Sequence, residues 1–165
     1  MSNYSVNDWI SQHGMAMPDK LAAIDLASNR RYTYSQMNNR VGRLANHLKY
    51  LGITKGDRVA YFAFNSTDVV EIIFACWRIG AVAVALNFRL TARELTFIIE
   101  DSKPKLIFVD SALGMVWEDV NQQTDIPNII ILDGVGGDTI YEKIISSSEP
   151  LNEMIDQTLT DQCML

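Results

Sequence analysis

The stretch from Ser66 to Arg89 constrains the chain more than any other. Its segment Asp68-Val69-Val70-Glu71-Ile72-Ile73-Phe74-Ala75-Cys76-Trp77-Arg78-Ile79 has helix length and carries apolar residues on nearly every side, so it must be covered on more than one face. Gly80 follows where helices often end in a left-handed residue. Ala81-Val82-Ala83-Val84-Ala85-Leu86 then runs uninterrupted and apolar, like a strand buried on both faces. A buried helix feeding a buried strand predicts a layered α/β core.

The flanking sequence extends that pattern. Residues 4 to 20 read as a short helix and loop with Trp9 and Ile10 as anchors, and 21–26 and 30–33 read as a hairpin turned at Ala27-Ser28-Asn29. Thr33-Tyr34-Ser35-Gln36 has capping-box spacing and opens a helix whose apolar stripe is Met37, Val41, Leu44, Ala45, Leu48 and Leu51, with Asn38, Asn39, Arg43, Asn46 and Lys49 on the wet side. After the turn Lys55-Gly56-Asp57, residues 58–64 form a strand, and Asn65 or Ser66 caps the buried helix. A second capping box, Thr91 to Glu94, opens a helix that Lys103-Pro104 stops. Strand 105–109, a helix carrying Leu113, Val116, Trp117 and Val120, strand 128–132 and a last short helix over 140–145 follow. Beyond Ser146 the pattern fades to loop with one helical turn. Strand and helix alternate over 58–145 with short links, which predicts parallel strands joined by right-handed crossovers. The expected fold is therefore α/β: a three-layer, doubly wound, mainly parallel sheet with helices on both faces, plus a short N-terminal antiparallel hairpin.

At 165 residues and 48% hydrophobic, the chain suits one domain, and a domain of this size buries about 70% of its unfolded surface. The two cysteines, Cys76 and Cys163, form no disulfide framework and fit a reducing compartment, so a cytoplasmic location is expected. The first eight residues lack a basic and apolar leader pattern, and Asp68, Glu71 and Arg78 interrupt the longest apolar helix well short of the ~20 residues a bilayer needs. A net charge of -6 argues against a nucleic-acid partner.

Few residues carry chemistry. The glycine-rich loop 133–138 lacks the spacing of a phosphate-binding fingerprint and places Asp133 and Asp138 where a phosphate would be repelled. His13 and His47 stand near no cysteine pair or serine elbow. Cys76 belongs in a core, where burial makes a thiol inert. Asp57, Asp68, Asp101 and Asp110 read as turn and cap residues before they read as a magnesium or phosphoryl-transfer set. Asn87-Phe88-Arg89 is the exception, because it follows a buried strand at the sheet edge where open parallel sheets bind ligands.

Several segments in order resemble a known family: Leu44-Ala45-Asn46-His47-Leu48, Leu51 through Ala60, Ala75-Cys76-Trp77-Arg78-Ile79-Gly80-Ala81-Val82, Leu86-Asn87-Phe88-Arg89-Leu90 with Glu94-Leu95, and Ile99-Glu100-Asp101-Ser102 with Lys103-Pro104. They look like the N-terminal subdomain of AMP-forming acyl-CoA synthetases, in the adenylate-forming superfamily. The likeness covers about residues 8 to 165, and the Leu-Asn-Phe-Arg-Leu form looks most like fatty-acid or medium-chain ligases.

That resemblance implies a ligase using ATP, Mg2+ and coenzyme A to join a carboxylate to a thiol through an acyl-adenylate. It also implies a truncation, since the family's phosphate loop and its adenine, magnesium and catalytic-lysine motifs do not occur in the sequence. The chain is then expected to hold no catalytic, cofactor or metal residue and to be inactive alone. Its first partner would be the remainder of its own chain, and self-association as a homodimer would use surface that the remainder covers. Asn87, Phe88 and Arg89 are the candidate contacts of the acyl and coenzyme A channel. The alternative is a freestanding Rossmann-like module that binds a nucleotide or a protein.

Overall fold

The structure, a computed structural model, describes residues 8–134, 138–152, 155, 157, 158 and 161–165. Helix α1 (Trp9–Ala16) and the hairpin β1 (Leu21–Ile24) and β2 (Arg31–Thr33) precede α2 (Tyr34–Tyr50). The α/β core then runs β3 (Arg58–Phe62), α3 (Thr67–Ile79), β4 (Val82–Ala85), α4 (Ala92–Ser102), β5 (Leu106–Asp110), a 3-10 turn into α5 (Gly114–Asn121), β6 (Ile129–Leu132) and α6 (Ile140–Ser147). Local chemistry sets the boundaries. Both capping boxes close, Thr33 with Gln36 and Thr91 with Glu94, and Ser66 caps α3. Gly80 ends α3 in the left-handed region at φ 68°, where a Cβ would also come within 2.6 Å of the Ile155 side chain.

The four core strands are all parallel, in the order β4-β3-β5-β6, and β1 and β2 form a separate antiparallel pair. Alternate strand residues feed two cores. Val59, Ala83, Leu106, Phe108 and Ile130 face α1, α2, α3 and α6, whereas Ala60, Phe62, Val84, Ile107 and Val109 face α4 and α5. Three layers follow from this alternation, as the apolar strand sequences require. The chain steps from β3 outward to β4 with α3 on one face, then reverses across β3 to β5 and on to β6 with α4 and α5 on the other face. Reversing direction while changing face keeps every crossover of one hand.

Two expectations need correction. Trp9 is 62% exposed, and only Ile10 anchors α1, because the Trp9 ring stands edge-on to Trp77 at the rim of the core. Asn38, Arg43 and Asn46 are half-buried. They hold Arg78, the carbonyls closing α6, and Glu149, respectively. Beyond α6 the described residues are mainly loop, as expected, but the segment 163–165 lies parallel to β4, exchanging hydrogen bonds of 3.1 Å (Ala83 N to Cys163 O) and 2.9 Å (Leu165 N to Ala83 O).

α3 also carries buried charge. Arg78 donates to Asp8 Oδ2 at 2.5 and 2.9 Å, to Asn38 Oδ1 at 2.7 Å and to the Leu151 carbonyl at 3.1 Å, so one guanidinium joins α1, α2, α3 and the C-terminal segment. Replacing it by an apolar residue strands the buried Asp8 carboxylate. Arg78→Met is expected to lower stability by about 3–5 kcal/mol, with the loss shrinking in Asp8→Asn/Arg78→Met. Urea unfolding of the three proteins measures both values, and a single-variant loss under ~1 kcal/mol would contradict the buried pairing.

Candidate functional site

In an open parallel sheet the ligand crevice opens outside the carboxyl ends of the two strands where strand order reverses. Here those strands are β3 and β5. β3 runs out through Ala63 and Phe64 to the Ser66 cap of α3, and β5 ends at Asp110. Asp110 is fixed twice, its Oδ1 accepting from Ala112 N at 2.9 Å and its Oδ2 from Phe64 N at 3.5 Å, so the two strand ends are tied across the reversal. Between them and the hairpin lies a cleft of about 410 Å³ lined in part by Asp25, Arg30, Phe64, Ser66, Asp110 and Leu132. A groove of about 570 Å³ between α4 and residues 123–127 lies at the opposite end of the sheet, away from the strand ends that bind ligands.

The predicted trio stands one strand over from this crevice. Asn87 makes the turn after β4: its Oδ1 accepts from Arg89 N at 3.0 Å and its carbonyl from Leu90 N at 3.1 Å. Phe88 packs against Phe64 with ring centroids 4.7 Å apart and a 59° tilt, and the Arg89 guanidinium lies 5.3 Å from the Phe88 centroid. The structure therefore brings Asn87, Phe88 and Arg89 together at the carboxyl edge and adds Phe64, which the sequence reading placed only in a strand. The signal for Phe64 is its position just past a β3 end, and that becomes legible only when the strand order is known.

Arg30 is committed elsewhere. It donates to Asp68 at 2.6 and 2.9 Å and to Asp25 at 3.3 Å. Deeper in, Arg40 binds the buried Glu71 at 2.6 Å and Glu142 at 2.7 and 2.8 Å, and the Tyr141 hydroxyl donates to Glu71 at 2.8 Å. Burial raises the pKa of Glu71 and Asp68 adds to this, against the downward pull of Arg40 and Tyr141. By contrast Arg89 is exposed, and among the described residues its guanidinium meets no carboxylate.

The remaining candidates take structural roles. His13 stacks edge-on to Tyr34 at 4.8 Å, and half-burial pushes the His47 pKa down. Asp133 accepts from Ile140 N at 3.1 Å, capping the approach to α6, and residues 135–137 of the glycine loop lie outside the described residues. Among the described residues no group of three or more His, Cys, Asp or Glu side chains is placed to hold a metal ion, and no helix is long and apolar enough to cross a membrane.

Comparison with known proteins decides the family. The model of the AMP-binding enzymes matches residues 10–162. The chain belongs to the AMP-binding enzyme family. It is 34% identical over 139 residues to the long-chain-fatty-acid–CoA ligase FadD13 of Mycobacterium tuberculosis (strain ATCC 25618 / H37Rv), which covers 84% of this chain and 27% of that protein. It is 35% identical over 103 residues to a 3-hydroxybenzoate–CoA ligase of Aromatoleum sp. (strain CIB), covering 62% of this chain and 20% of that protein. The crystal structure of the N-terminal domain of FACL13 from Mycobacterium tuberculosis superimposes with a TM-score of 0.85 at 29% identity, over 100% of this chain and 41% of that one. The chain thus spans 27% or less of the length of these curated relatives.

Two measurements check the chemistry of individual side chains. Burial pushes the Cys76 thiol up to about 12, so in the native protein Cys163 alone should react with an aromatic disulfide at neutral pH, and Cys76 only after unfolding. Burial acts to raise the Asp57 pKa, but Lys105 at 2.8 Å and the Thr54 amide at 2.8 Å outweigh it, and the net shift is down from 3.8. A depressed carboxylate stabilises the fold above its unfolded pKa and loses that contribution as pH falls through the folded value. Asp57→Asn should therefore cost stability at neutral pH, and the gap to the unsubstituted protein should close in acid unfolding curves as pH falls through the depressed folded value.

Proposed function

We propose that the chain is a single N-terminal subdomain of an AMP-forming acid–thiol ligase. In the whole enzyme a carboxylate attacks the α-phosphorus of ATP, pyrophosphate leaves, and the coenzyme A thiol then displaces AMP from the acyl-adenylate. The observation that carries this reading is the family match over 10–162, joined to 34% identity with a long-chain-fatty-acid–CoA ligase. The Leu86-Asn87-Phe88-Arg89-Leu90 form favours a fatty acid as the carboxylate. The free cysteines suit a reducing cytoplasm.

In this reading the subdomain supplies walls and leaves the chemistry to the rest of the enzyme. Asn87 fixes the turn, Phe88 presents an apolar face, and Arg89 offers a positive charge along the channel through which the acyl group and coenzyme A approach. Mg2+ would accompany ATP, and no step runs through it on these residues. The segment 163–165 runs parallel to β4 and so heads for the same carboxyl edge as Asn87 to Arg89. Any continuation would enter beside the channel.

The purified 165-residue chain is expected to release no pyrophosphate from ATP with fatty acids of any length, whereas FadD13 carrying the matched part of this chain in place of its own 139-residue stretch should form acyl-CoA. Turnover by the chain alone, or micromolar ATP binding by calorimetry, would instead favour a freestanding nucleotide-binding module. A hybrid that folds yet forms no acyl-adenylate would count against the ligase reading.

A further inference from the structure

An exposed aromatic ring needs no explanation by itself; one tied into a chain of contacts at a strand end does. Phe64 is 41% exposed, yet its backbone is held at the strand reversal by Asp110 and its ring meets Phe88 at 4.7 Å. Phe88 in turn lies under the Arg89 guanidinium at 5.3 Å. These contacts form a chain across the carboxyl ends of three adjacent strands: Asp110 from β5, Phe64 beyond β3, and Phe88 with Arg89 beyond β4. Asn87 fixes the backbone of this turn through the Arg89 amide but leaves the Arg89 side chain free to rotate. The guanidinium stands over the Phe88 face, and the Phe88 ring is held between the core on the α4 and α5 side, against which it packs, and Phe64 at its exposed edge.

We infer that Phe64 is a positioning residue of the proposed coenzyme A channel: it completes the packing that the core begins around Phe88, fixes that ring against Arg89, and so aims the guanidinium at the anionic part of the incoming thiol cofactor. The inference rests on reading Asn87 to Arg89 as part of that channel. A long, exposed arginine loses rotamer freedom when it binds a phosphate, and a ring that restricts it beforehand lowers that cost. Tilted rings at this spacing are attractive in themselves, and a guanidinium over one of them gains further from the ring's negative face. Phe64 touches neither the anion nor the thiol in this arrangement, so its effect passes through Phe88.

The test uses the 165-residue chain with Phe64→Leu, which keeps apolar bulk and loses the ring, and Phe64→Tyr, which keeps it. The side-chain Nε–H resonance of Arg89, assigned by its loss in Arg89→Lys, is expected to sit upfield from ring shielding in the unsubstituted protein and in Phe64→Tyr. In Phe64→Leu it should return toward the position of a free arginine. Coenzyme A titrations should then show Phe64→Leu binding roughly fivefold more weakly and Phe64→Tyr binding unchanged, while pantetheine, which lacks the phosphates, binds all three proteins alike. An Arg89 resonance that stays put in Phe64→Leu overturns the inference, and so does a loss of affinity equal for coenzyme A and pantetheine. Absence of coenzyme A binding by the unsubstituted protein, with the Arg89 resonance responding to Phe64 as described, would instead sink the channel reading. Phe64 would then be left as a residue that orders Arg89 for no cofactor.

Discussion

Three buried charges on one helix fix where much of this molecule stands. α3 places Asp68 and Glu71 near its start and Arg78 at its end, all in the interior, and an ionised group out of water is tolerated only beside a partner of opposite charge or a full set of hydrogen bonds. Each requirement recruits a different element. Asp68 draws in Arg30 and with it the hairpin, Glu71 draws in Arg40 of α2 and Tyr141 of α6, and Arg78 draws in Asp8 of α1, Asn38 of α2 and the Leu151 carbonyl. Apolar packing would allow these elements to slide over α3. The directional partners set one register, which is a use of buried ion pairs distinct from any gain in net stability.

The two arginines that pair with the start of α3, Arg30 before β2 and Arg40 on α2, are outnumbered by carboxylates. Asp25, Asp68, Glu71 and Glu142 surround Arg30 and Arg40, and the most enclosed of the four, Glu71, takes the upward push on its pKa. Both arginines are saturated by this arrangement, so the cleft between β3 and β5 has a charged wall with no cation to spare. Among the described residues, positive charge without a carboxylate partner appears instead at Arg89, beyond β4. The division of labour is electrostatic: the cluster around Glu71 holds elements together, and the turn after β4 faces outward.

How much of this was legible in the sequence depends on the range of the force involved. The helix starts at Thr33, Ser66 and Thr91 were readable because a cap bonds an amide three residues away, and the Gly80 stop was readable because one residue's conformation decides it. The alternation that gave the parallel sheet was readable from runs of apolar residues. Strand order was not, since β5 could have docked beside β4 rather than crossing to β3, and the crevice position with the role of Phe64 depends on that choice. Asn38, Arg43 and Asn46 lay on the polar side of α2 by periodicity, yet a polar face is also where a buried guanidinium can be bound, as Asn38 binds Arg78, and where backbone carbonyls of α6 and the following segment can be, as Arg43 and Asn46 bind them. Trp9 misled for a related reason, as a large aromatic marks the core only when something packs on both of its faces.

The C-terminal segment shows the same limit at its sharpest and bears on the site. Without residues 163–165, β4 would be an edge strand, with the amides of Ala83 and Ala85 and the carbonyl of Ala83 facing outward, and such an edge invites pairing with other chains. The segment binds all three groups, at 3.1, 3.2 and 2.9 Å, although it is too short and too irregular in composition to be read as a strand. Its strand character comes from β4, which offers the matching ladder. The consequence reaches Asn87, because β4 becomes an inner strand and the turn after it is flanked on both sides at the carboxyl edge. Phe88 and Arg89 therefore stand at a walled margin rather than at the open rim of a sheet, and the wall on one side is Phe64.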